Sequence, residues 1–290
     1  MSTLPYAGYR MLLMHAHPDD ETINNGATMA KYVAEGATIT LVTSNRGEEG
    51  DILIPDLAHL GARESDQLGP HRVQELTAAM KELGITDHRF LGAPHKQYRD
   101  SGMIDTDPNK RPDNFYNCDL DEAAKFLVDV IHEVKPHVLV TYDEFGGYGH
   151  PDHIKAHQVA MRAVELATQW EVSKVYWNAI PKSIIENGIA EMKKRGTTFM
   201  GLEKAEDFPF AKADELVTTV INAVPYVDQK IAAMKAHGTQ IAVDGPFFAL
   251  SDNVGVQVWG DEYYTLVKGE LAGPRDAQGR ELDLFAGITL

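Results

Sequence analysis

The sequence lacks the features that mark several specialised classes of protein. Its single cysteine cannot form an internal disulfide bond, so nothing in the 290 residues indicates an oxidising compartment. It contains no run of about 18 apolar residues, so no membrane span is predicted. The N-terminus has no basic patch followed by an apolar stretch, so no signal peptide is predicted either. We therefore expect a cytoplasmic location.

Positive charge is also scarce. The chain has 27 Lys and Arg residues against 43 Asp and Glu residues, which gives a formal net charge of −16. A protein that binds nucleic acid has to neutralise phosphates with a basic face, and an anionic membrane surface attracts basic segments. The charge balance therefore argues against nucleic acid and against a membrane surface as partners. The sequence carries no indication of an oligomeric state.

The N-terminal part of the chain alternates apolar, β-branched segments with segments of helical periodicity. The predicted strands are residues 9–15, 37–43, 89–91, 137–142 and 174–178, and the predicted helices are residues 26–35, 73–83, 119–134 and 151–168. This βαβα order is typical of an α/β protein with a Rossmann-like, mostly parallel sheet and helices on both faces.

The pattern weakens after about residue 170. A strand at residues 216–221, a helix at residues 226–237 and a hairpin at residues 254–268 around Gly260-Asp261 are predicted there. We therefore expect a main domain over residues 1–170 and a smaller α+β portion over residues 171–290. The helix at residues 226–237 can pack back on the main domain, so the boundary is soft.

Two short segments concentrate the residue types that bind metals. The first histidine segment, HAHPDDE, covers residues 15–21, and the second histidine segment, GGYGHPDH, covers residues 146–153. Each follows a predicted strand and opens a predicted helix, with its proline suited to the first helical position. Binding sites of open α/β sheets lie at the carboxyl ends of strands, so the two segments are expected to meet at one site.

The residue chemistry gives four candidate metal ligands: His17, Asp20, His150 and His153. Imidazole and carboxylate groups together suit Zn²⁺ and related divalent ions. Four protein ligands would make a closed, structural site, whereas three would leave a position for water and free the fourth residue to act as an acid or electrophile. Asp19 could then take a proton from water at the site.

Each of these residues also has an ordinary interpretation. Acidic residues after a proline are common at helix starts, because they complement the helix dipole. Asp152 is expected to orient an imidazole, although a plain helix cap would have the same sequence. His15 is expected to be a core or supporting group. The lone Cys118 is expected to be inert.

Three further residues are candidates for substrate binding. Arg72 is expected in the first turn of a helix starting near His71, where a cation opposes the helix dipole; the alternative is a surface arginine paired with Glu75. Asp51 and Asp100 are loop carboxylates that could hold sugar hydroxyls, and the alternative is that they are solvated loop residues.

The AHPDDE sequence followed by a later HPDH resembles the PIG-L/LmbE family of zinc-dependent N-acetylglucosamine deacetylases. The resemblance covers about the first 170 residues. Further stretches are similar to the branch that deacetylates N-acetylglucosaminyl-inositol in mycothiol biosynthesis: GEEG at residues 47–50, DQLG at 66–69, ELTAA at 75–79 and RDSGM at 99–103. The resemblance implies a hydrolase that acts on a small sugar substrate.

The resemblance also implies a role for each matching position. The implied zinc ligands are His17, Asp20 and His153. The implied catalytic residues are Asp19 as general base, His150 as general acid or electrostatic partner with Asp152 behind it, and Tyr148 as a group that reaches the oxyanion from a glycine-flanked loop. The implied contacts to the sugar or inositol are Arg72, Asp100 and Asp51, the last at a place where similar branches have Glu.

Several alternatives stay open at this point. Mycothiol S-conjugate amidases look similar but typically carry Lys where this chain has Asn24, and they tend to have Tyr-Pro-His-Pro where residues 148–151 read Tyr-Gly-His-Pro. A deacetylase for another N-acetylglucosamine-containing sugar, or a metal- or sugar-binding module without turnover, would carry many of the same residues. Fe²⁺ or Co²⁺ would suit the same ligands as zinc.

Overall fold

The computed structural model describes residues 4–194, 196, 203–242 and 260–290. The strands in this part of the chain are β1 (Arg10–His15), β2 (Thr38–Thr43), β3 (Asp87–Phe90), β4 (Val138–Thr141), β5 (Lys174–Pro181), β6 (Ala211–Lys212), β7 (Thr219–Asn222) and β8 (Asp261–Lys268). The helices are α1 (Asp20–Ala34), α2 (Leu68–Leu83), α3 (Leu120–Val134), α4 (Gly146–Gly149), α5 (Pro151–Leu166), α6 (Lys182–Lys194) and α7 (Val227–Ala236).

The strands form one sheet in the order β3-β2-β1-β4-β5-β8-β7, and the short β6 pairs with β5. The pairs among β3, β2, β1, β4 and β5 are parallel, whereas β8 runs antiparallel to both of its neighbours. The predicted α/β class with a mostly parallel sheet is therefore confirmed. In a parallel sheet with helices on both faces, both sides of each strand are buried, which explains why the central strands are rich in apolar residues.

Strand β1 illustrates how the two faces are filled. Met11 and Leu13 belong to the core cluster that also contains buried residues of α1 and α2. Leu12 and Met14 belong to the core cluster on the other face, with buried residues of α3 and α5. The alternation follows from strand geometry, since successive side chains point to opposite faces.

The C-terminal portion shares the sheet and the core of the N-terminal part. Strands β7 and β8 extend the sheet, and Tyr264, Leu284 and Phe285 belong to the same core cluster as Leu13. Helix α7 packs against α1 and α2, as the sequence allowed for the helix at residues 226–237. The division near residue 170 itself stays a prediction.

Some elements differ from the sequence-based expectations. The predicted strand at residues 216–221 is shorter and begins at Thr219, because residues 214–216 form a 3-10 helix. Residues 254–259 of the predicted hairpin lie outside the described residues, and residues 261–268 form β8. Helix α6 was not predicted. None of the helices in the described ranges has the length and apolar composition that a bilayer span requires.

The centre of the sheet sets the place of the site. Strands β1 and β4 lie side by side, and α1 follows β1 on one face whereas α5 follows β4 on the other. Where successive helices leave a sheet on opposite faces, a crevice opens beyond the carboxyl ends of the strands. The first histidine segment follows β1 and the second follows β4, so both reach this crevice.

Candidate metal centre and active site

The two histidine segments begin their helices differently. In the second histidine segment, Pro151 is the first residue of α5 and His150 is its N-cap. In the first histidine segment, α1 begins at Asp20, two residues after Pro18, with Asp19 as N-cap. The expected first helical position of the proline is therefore correct for Pro151 and wrong for Pro18.

The four predicted ligand candidates meet in one buried cluster. Asp20 Oδ2 lies 3.4 Å from His17 Nδ1 and 3.4 Å from His153 Nε2. Ring nitrogens of His17, His150 and His153 lie within 4.8 Å of one another. The structure therefore brings together residues that are about 130 positions apart in the sequence.

The donor set fits a divalent metal ion. Nδ1 of His153 lies 3.1 Å from the carbonyl oxygen of Gly146, which fixes the ring and leaves Nε2 for the site. His153 Nε2 is buried and has no hydrogen-bond partner among the residues that the structure describes. Such an orphaned buried nitrogen calls for an explanation, and a metal held by two imidazoles and a carboxylate supplies one.

The charges around the cluster act in opposite directions on its histidines. Burial, together with the neighbouring His17 and His153, lowers the pKa of His150 to about 3. Burial also lowers the pKa of His17, but the carboxylates of Asp100, Asp152 and Asp20 outweigh burial and raise that pKa well above its ordinary value. A neutral imidazole and a carboxylate-surrounded imidazole therefore lie side by side.

Asp19 adopts an unusual backbone conformation. Its φ of 126° and ψ of −35° lie in a region that L-residues rarely adopt, which costs about 1–3 kcal/mol. Burial raises the pKa of its carboxyl to about 6, against the effect of Arg72 and with a contribution from Asp20. A carboxyl group with a pKa near neutrality is suited to exchange protons with a reacting group.

Arg72 supports this part of the site. It is buried, and its guanidinium donates to the Gly47 carbonyl at 2.9 Å, to Asp19 Oδ2 at 3.2 Å and to the Pro18 carbonyl. A Cβ atom at position 47 would lie 1.8 Å from Arg72 Nη1, so only glycine permits this approach.

Two sequence-based expectations about Arg72 are wrong. Helix α2 begins at Leu68, so Arg72 lies beyond its first turn and does not oppose the helix dipole there. Arg72 is also not a surface arginine paired with Glu75. Glu75 instead accepts hydrogen bonds from the backbone and hydroxyl of Thr239, at 2.7 and 2.6 Å.

Asp152 lies behind His17. Its Oδ2 is 3.2 Å from His17 Nε2 and accepts hydrogen bonds from Asn45 Nδ2 at 2.8 Å and from the Ser101 N–H at 3.0 Å. Its link to His150 is a backbone N–H that donates to His150 Nδ1 at 3.1 Å. The carboxylate therefore orients an imidazole, but that imidazole is His17 and not His150 as the resemblance implied.

The remaining candidates occupy different depths of the crevice. Asp100 is 4% exposed, and its Oδ1 lies 3.7 Å from His17 Nε2, so it is not a solvated loop residue. Tyr148 is 45% exposed, with its ring centre 5.0 Å from that of His153. Asp51 is exposed at the rim and does not join the cluster.

The cluster opens into a cavity of about 710 Å³, a volume within the usual range for small-molecule sites. Its polar end contains the candidate ligands together with Asp19, Arg72 and Asp100. The C-terminal portion supplies a mainly apolar wall, which includes Ile180, Ile184, Phe208, Phe210 and Tyr263.

Sequence reasoning missed two supporting groups. Tyr142 stacks on the His153 ring, with ring centres 4.4 Å apart and planes 25° apart; its place at the end of a strand was the one available signal. His237 was set aside as a histidine without a pattern. It is fully buried, and its Nε2 lies 2.9 Å from Glu21 Oε1.

Comparisons with known proteins show which family the chain is similar to. The family model described as PIG-L, GlcNAc-PI de-N-acetylase, matches residues 12–164. A 1D-myo-inositol 2-acetamido-2-deoxy-alpha-D-glucopyranoside deacetylase of Geodermatophilus obscurus is 55% identical, over 96% of this chain and 98% of that protein.

Solved structures with low sequence identity share the fold. An N,N'-diacetylchitobiose deacetylase from Pyrococcus horikoshii is 18% identical with a TM-score of 0.56, over 90% of this chain and 84% of that one. A 4-carboxy-2-hydroxymuconate hydratase from Pseudomonas putida is 17% identical with a TM-score of 0.55, over 92% of this chain and 100% of that one. With the family model matching more than half of its residues and a relative identical at more than half of the aligned positions, this chain belongs to the PIG-L family.

Proposed function

We propose that this chain is a metal-dependent hydrolase that removes the acetyl group of 1D-myo-inositol 2-acetamido-2-deoxy-alpha-D-glucopyranoside, a step of mycothiol biosynthesis. The observation that carries the proposal is the relative that bears this name and is 55% identical over nearly the whole of both chains. The products are acetate and the free amine of the glucosaminyl-inositol. The cytoplasmic location expected from the sequence stays a prediction.

We propose that His17, Asp20 and His153 hold the metal. Their support is the arrangement of both imidazoles around Asp20 Oδ2 and the orphaned His153 Nε2. Zinc suits these donors, and Fe²⁺ or Co²⁺ would suit them as well. When bound, such an ion lowers the pKa of water and polarises a carbonyl oxygen.

Asp19 is the proposed general base. Its carboxyl group lines the cavity beside the ligand cluster, and the Arg72 guanidinium holds its Oδ2. In this position it takes a proton from the attacking water as the bond to the acetyl carbon forms. The proton is then available for the amine that leaves.

His150 and Tyr148 are proposed to act on the other side of the acetyl group. The His150 ring centre lies 4.7 Å from that of His17, and both His150 and Tyr148 line the cavity. His150 is the proposed electrostatic partner, which as a neutral imidazole can donate its Nε2–H; in the alternative role of general acid it would first have to gain a proton against its lowered pKa. Tyr148 is proposed to reach the developing oxyanion with its hydroxyl group. Asp152 is proposed to hold the neighbouring His17 ring in place.

Arg72, Asp100 and Asp51 are the proposed contacts to the sugar and inositol. Arg72 is buried and is one of the residues that line the cavity. Asp100 offers a buried carboxylate near the cluster, and Asp51 offers one at the rim. Residues 171–290 are proposed to complete the cleft, since they supply its apolar wall.

The apolar wall supports a second candidate function. Ile180, Phe208 and Phe210 could accommodate an acyl group larger than acetyl, as cleavage of a mycothiol S-conjugate requires. Parallel assays of the purified chain on N-acetylglucosaminyl-inositol, N-acetylglucosamine and an S-conjugate separate the candidates. Release of acetate from the first substrate at the highest kcat/KM supports the deacetylase, and a preference for the S-conjugate contradicts it.

A substitution at position 19 tests the proposed base. Asp19→Asn is expected to retain bound metal and to lose at least about 100-fold in kcat, because the amide cannot accept the proton. Metal content by mass spectrometry and acetate release are the two measurements. Turnover near that of the unaltered chain would show that Asp19 is not the base.

A further inference from the structure

We propose that Glu21 and His237 are positioning residues that hold Asp19 in its working conformation. The inference rests on the proposed function, in which Asp19 is the general base. His237 follows α7 in the C-terminal portion, 216 positions from Glu21. A residue that sequence reasoning left without a role therefore acts on the candidate base through one intermediate side chain.

The contacts form a short chain from α7 to Asp19. His237 Nε2 donates to Glu21 Oε1 at 2.9 Å, and the Thr22 hydroxyl donates to the same oxygen at 2.6 Å. The other oxygen, Glu21 Oε2, accepts the backbone N–H of Asp19 at 3.0 Å. Glu21 and His237 are both fully buried, so no water competes with these bonds.

Asp19 needs such a restraint because its backbone is not in a relaxed conformation. Its φ of 126° is disfavoured for a residue with a Cβ atom. Asp19 is the N-cap residue, directly before the first residue of α1. The Glu21 carboxylate fixes the N–H side of Asp19, and Arg72 fixes its side chain from the opposite direction. A buried carboxylate needs hydrogen-bond donors to offset the cost of its burial, and His237 supplies one of them.

The segment after α7 is itself anchored at two places. His237 bonds to Glu21 on α1, and Thr239, two residues later, bonds to Glu75 on α2. Through these contacts, the position of the segment after α7 affects the position of the proposed base, Asp19.

A double-mutant cycle with Asp19 tests the inference. His237→Leu removes the donor to Glu21 and is expected to lower kcat about 10- to 100-fold, because small displacements of a reacting group have effects of this size. KM and metal content are expected to stay within about twofold. In the Asp19→Asn background, the same His237→Leu substitution is expected to change the residual kcat less than about twofold. An equal loss in both backgrounds would overturn the inference.

Two further variants at the same position separate positioning from packing. His237→Gln keeps a donor at about the reach of Nε2 and is expected to retain most of the kcat. His237→Asn is polar but too short to reach Glu21 and is expected to lose kcat as His237→Leu does; it also serves if the leucine variant does not fold. A glutamine variant as slow as the asparagine variant would contradict the positioning role.

Lys174→Met is the matched control for the loss of a buried ion pair. Lys174 Nζ lies 2.6 Å from the fully buried carboxylate of Glu281. This pair resembles His237 and Glu21 in its burial, but neither of its members contacts Asp19. The control is expected to lower the midpoint of thermal unfolding and to keep kcat. If Lys174→Met loses kcat as much as His237→Leu, the loss reflects stability and the inference fails. If Asp19→Asn alone is fully active, the proposed base fails instead.

Discussion

Individual nitrogen atoms distinguish the two histidines of the second histidine segment. His153 Nδ1 is engaged by the Gly146 carbonyl, which leaves Nε2 for a metal, whereas His150 Nδ1 accepts the Asp152 N–H as part of a helix cap. The same residue type therefore has two different uses three positions apart. The ring nitrogen that bonds to the backbone fixes the orientation of the ring and leaves the other nitrogen to bind a metal or donate a hydrogen bond.

Alanine substitutions at these two histidines are expected to give different metal contents. His153→Ala removes a proposed ligand and should lose most of the bound metal, whereas His150→Ala should keep the metal and lose turnover. Metal content per chain and acetate release measure the two effects. Equal loss of metal in both variants would indicate a four-ligand site instead.

The single cysteine is expected to be unreactive in the folded chain. Burial raises the pKa of the Cys118 thiol from 9.0 to about 11, although Lys155 opposes the shift. At pH 8 the thiolate fraction is then about 100-fold lower than in the unfolded chain, and the thiolate is the reactive form. Iodoacetamide should therefore label the native protein at least about 100-fold more slowly than the urea-unfolded protein. Equal labelling rates would contradict this.

At the residue scale, the residues of the two histidine segments could be predicted as site residues. The residues that hold them in place, such as His237, could not. His17, Asp20, His150 and His153 were predicted to meet because each of the two histidine segments follows a strand and carries imidazole or carboxylate groups next to a proline. Glu21 looked like one more acid at a helix start, and its partner His237 is 216 positions away. A contact between distant residues leaves no periodic signal in a single sequence.

At the element scale, helix α3 shows how one polar residue defines a boundary. Asp119 precedes the helix with an extended backbone, and its Oδ1 accepts the Glu122 N–H at 2.8 Å. An N-cap carboxylate satisfies a backbone donor that the helix itself cannot satisfy. The predicted start of this helix, at residue 119, lies within one residue of the observed one.

Removal of this cap is expected to destabilise the protein without affecting its activity. Asp119→Ala should lower the free energy of unfolding by about 1 kcal/mol, measured by urea denaturation. Lys125→Ala, an exposed position within the same helix, is the matched control and should change stability by less than about half of that. If Lys125→Ala lowers the free energy of unfolding as much as Asp119→Ala, the loss does not come from the N-cap hydrogen bond.

Elements could be predicted where burial on both faces or a clear cap left a strong pattern. Strands β1, β2 and β4 are largely buried and rich in apolar residues because helices cover both faces of the sheet. Helix α1 begins at Asp20, before the helical periodicity that starts at residue 26, since its first residues serve the site and its contacts with α7 rather than an apolar stripe. Helix α6 was missed because only Ile185 and Met192 of it are buried.

At the scale of the whole molecule, the two portions of the chain fill one core. Tyr176, Ile221, Tyr264 and Phe285 all come from beyond residue 170, and all belong to the cluster that contains Leu13. The Tyr32 hydroxyl donates to Asp283 Oδ1 at 2.9 Å. Sequence reasoning could not foresee this sharing, because it depends on which strand edges pair.

A fragment of residues 1–170 is therefore expected not to fold cooperatively. It would lack β5 and the four large side chains that cover one face of the sheet, and exposed apolar surface of this kind favours partly folded states. Thermal unfolding by circular dichroism should show no sharp transition, in contrast to the full chain. A cooperative transition of the fragment would support the independent main domain that the sequence suggests.

The position of β8 between β5 and β7 has a consequence for biosynthesis. About 80 residues separate the end of β5 from the start of β8, so at about 5–20 residues per second a ribosome needs roughly 4–16 s to supply them. During this interval β5 presents an unpaired edge, which is a template for pairing with other chains. We expect nascent chains to depend on chaperones in this window, and slower translation of residues 182–260 to lower the yield of native protein.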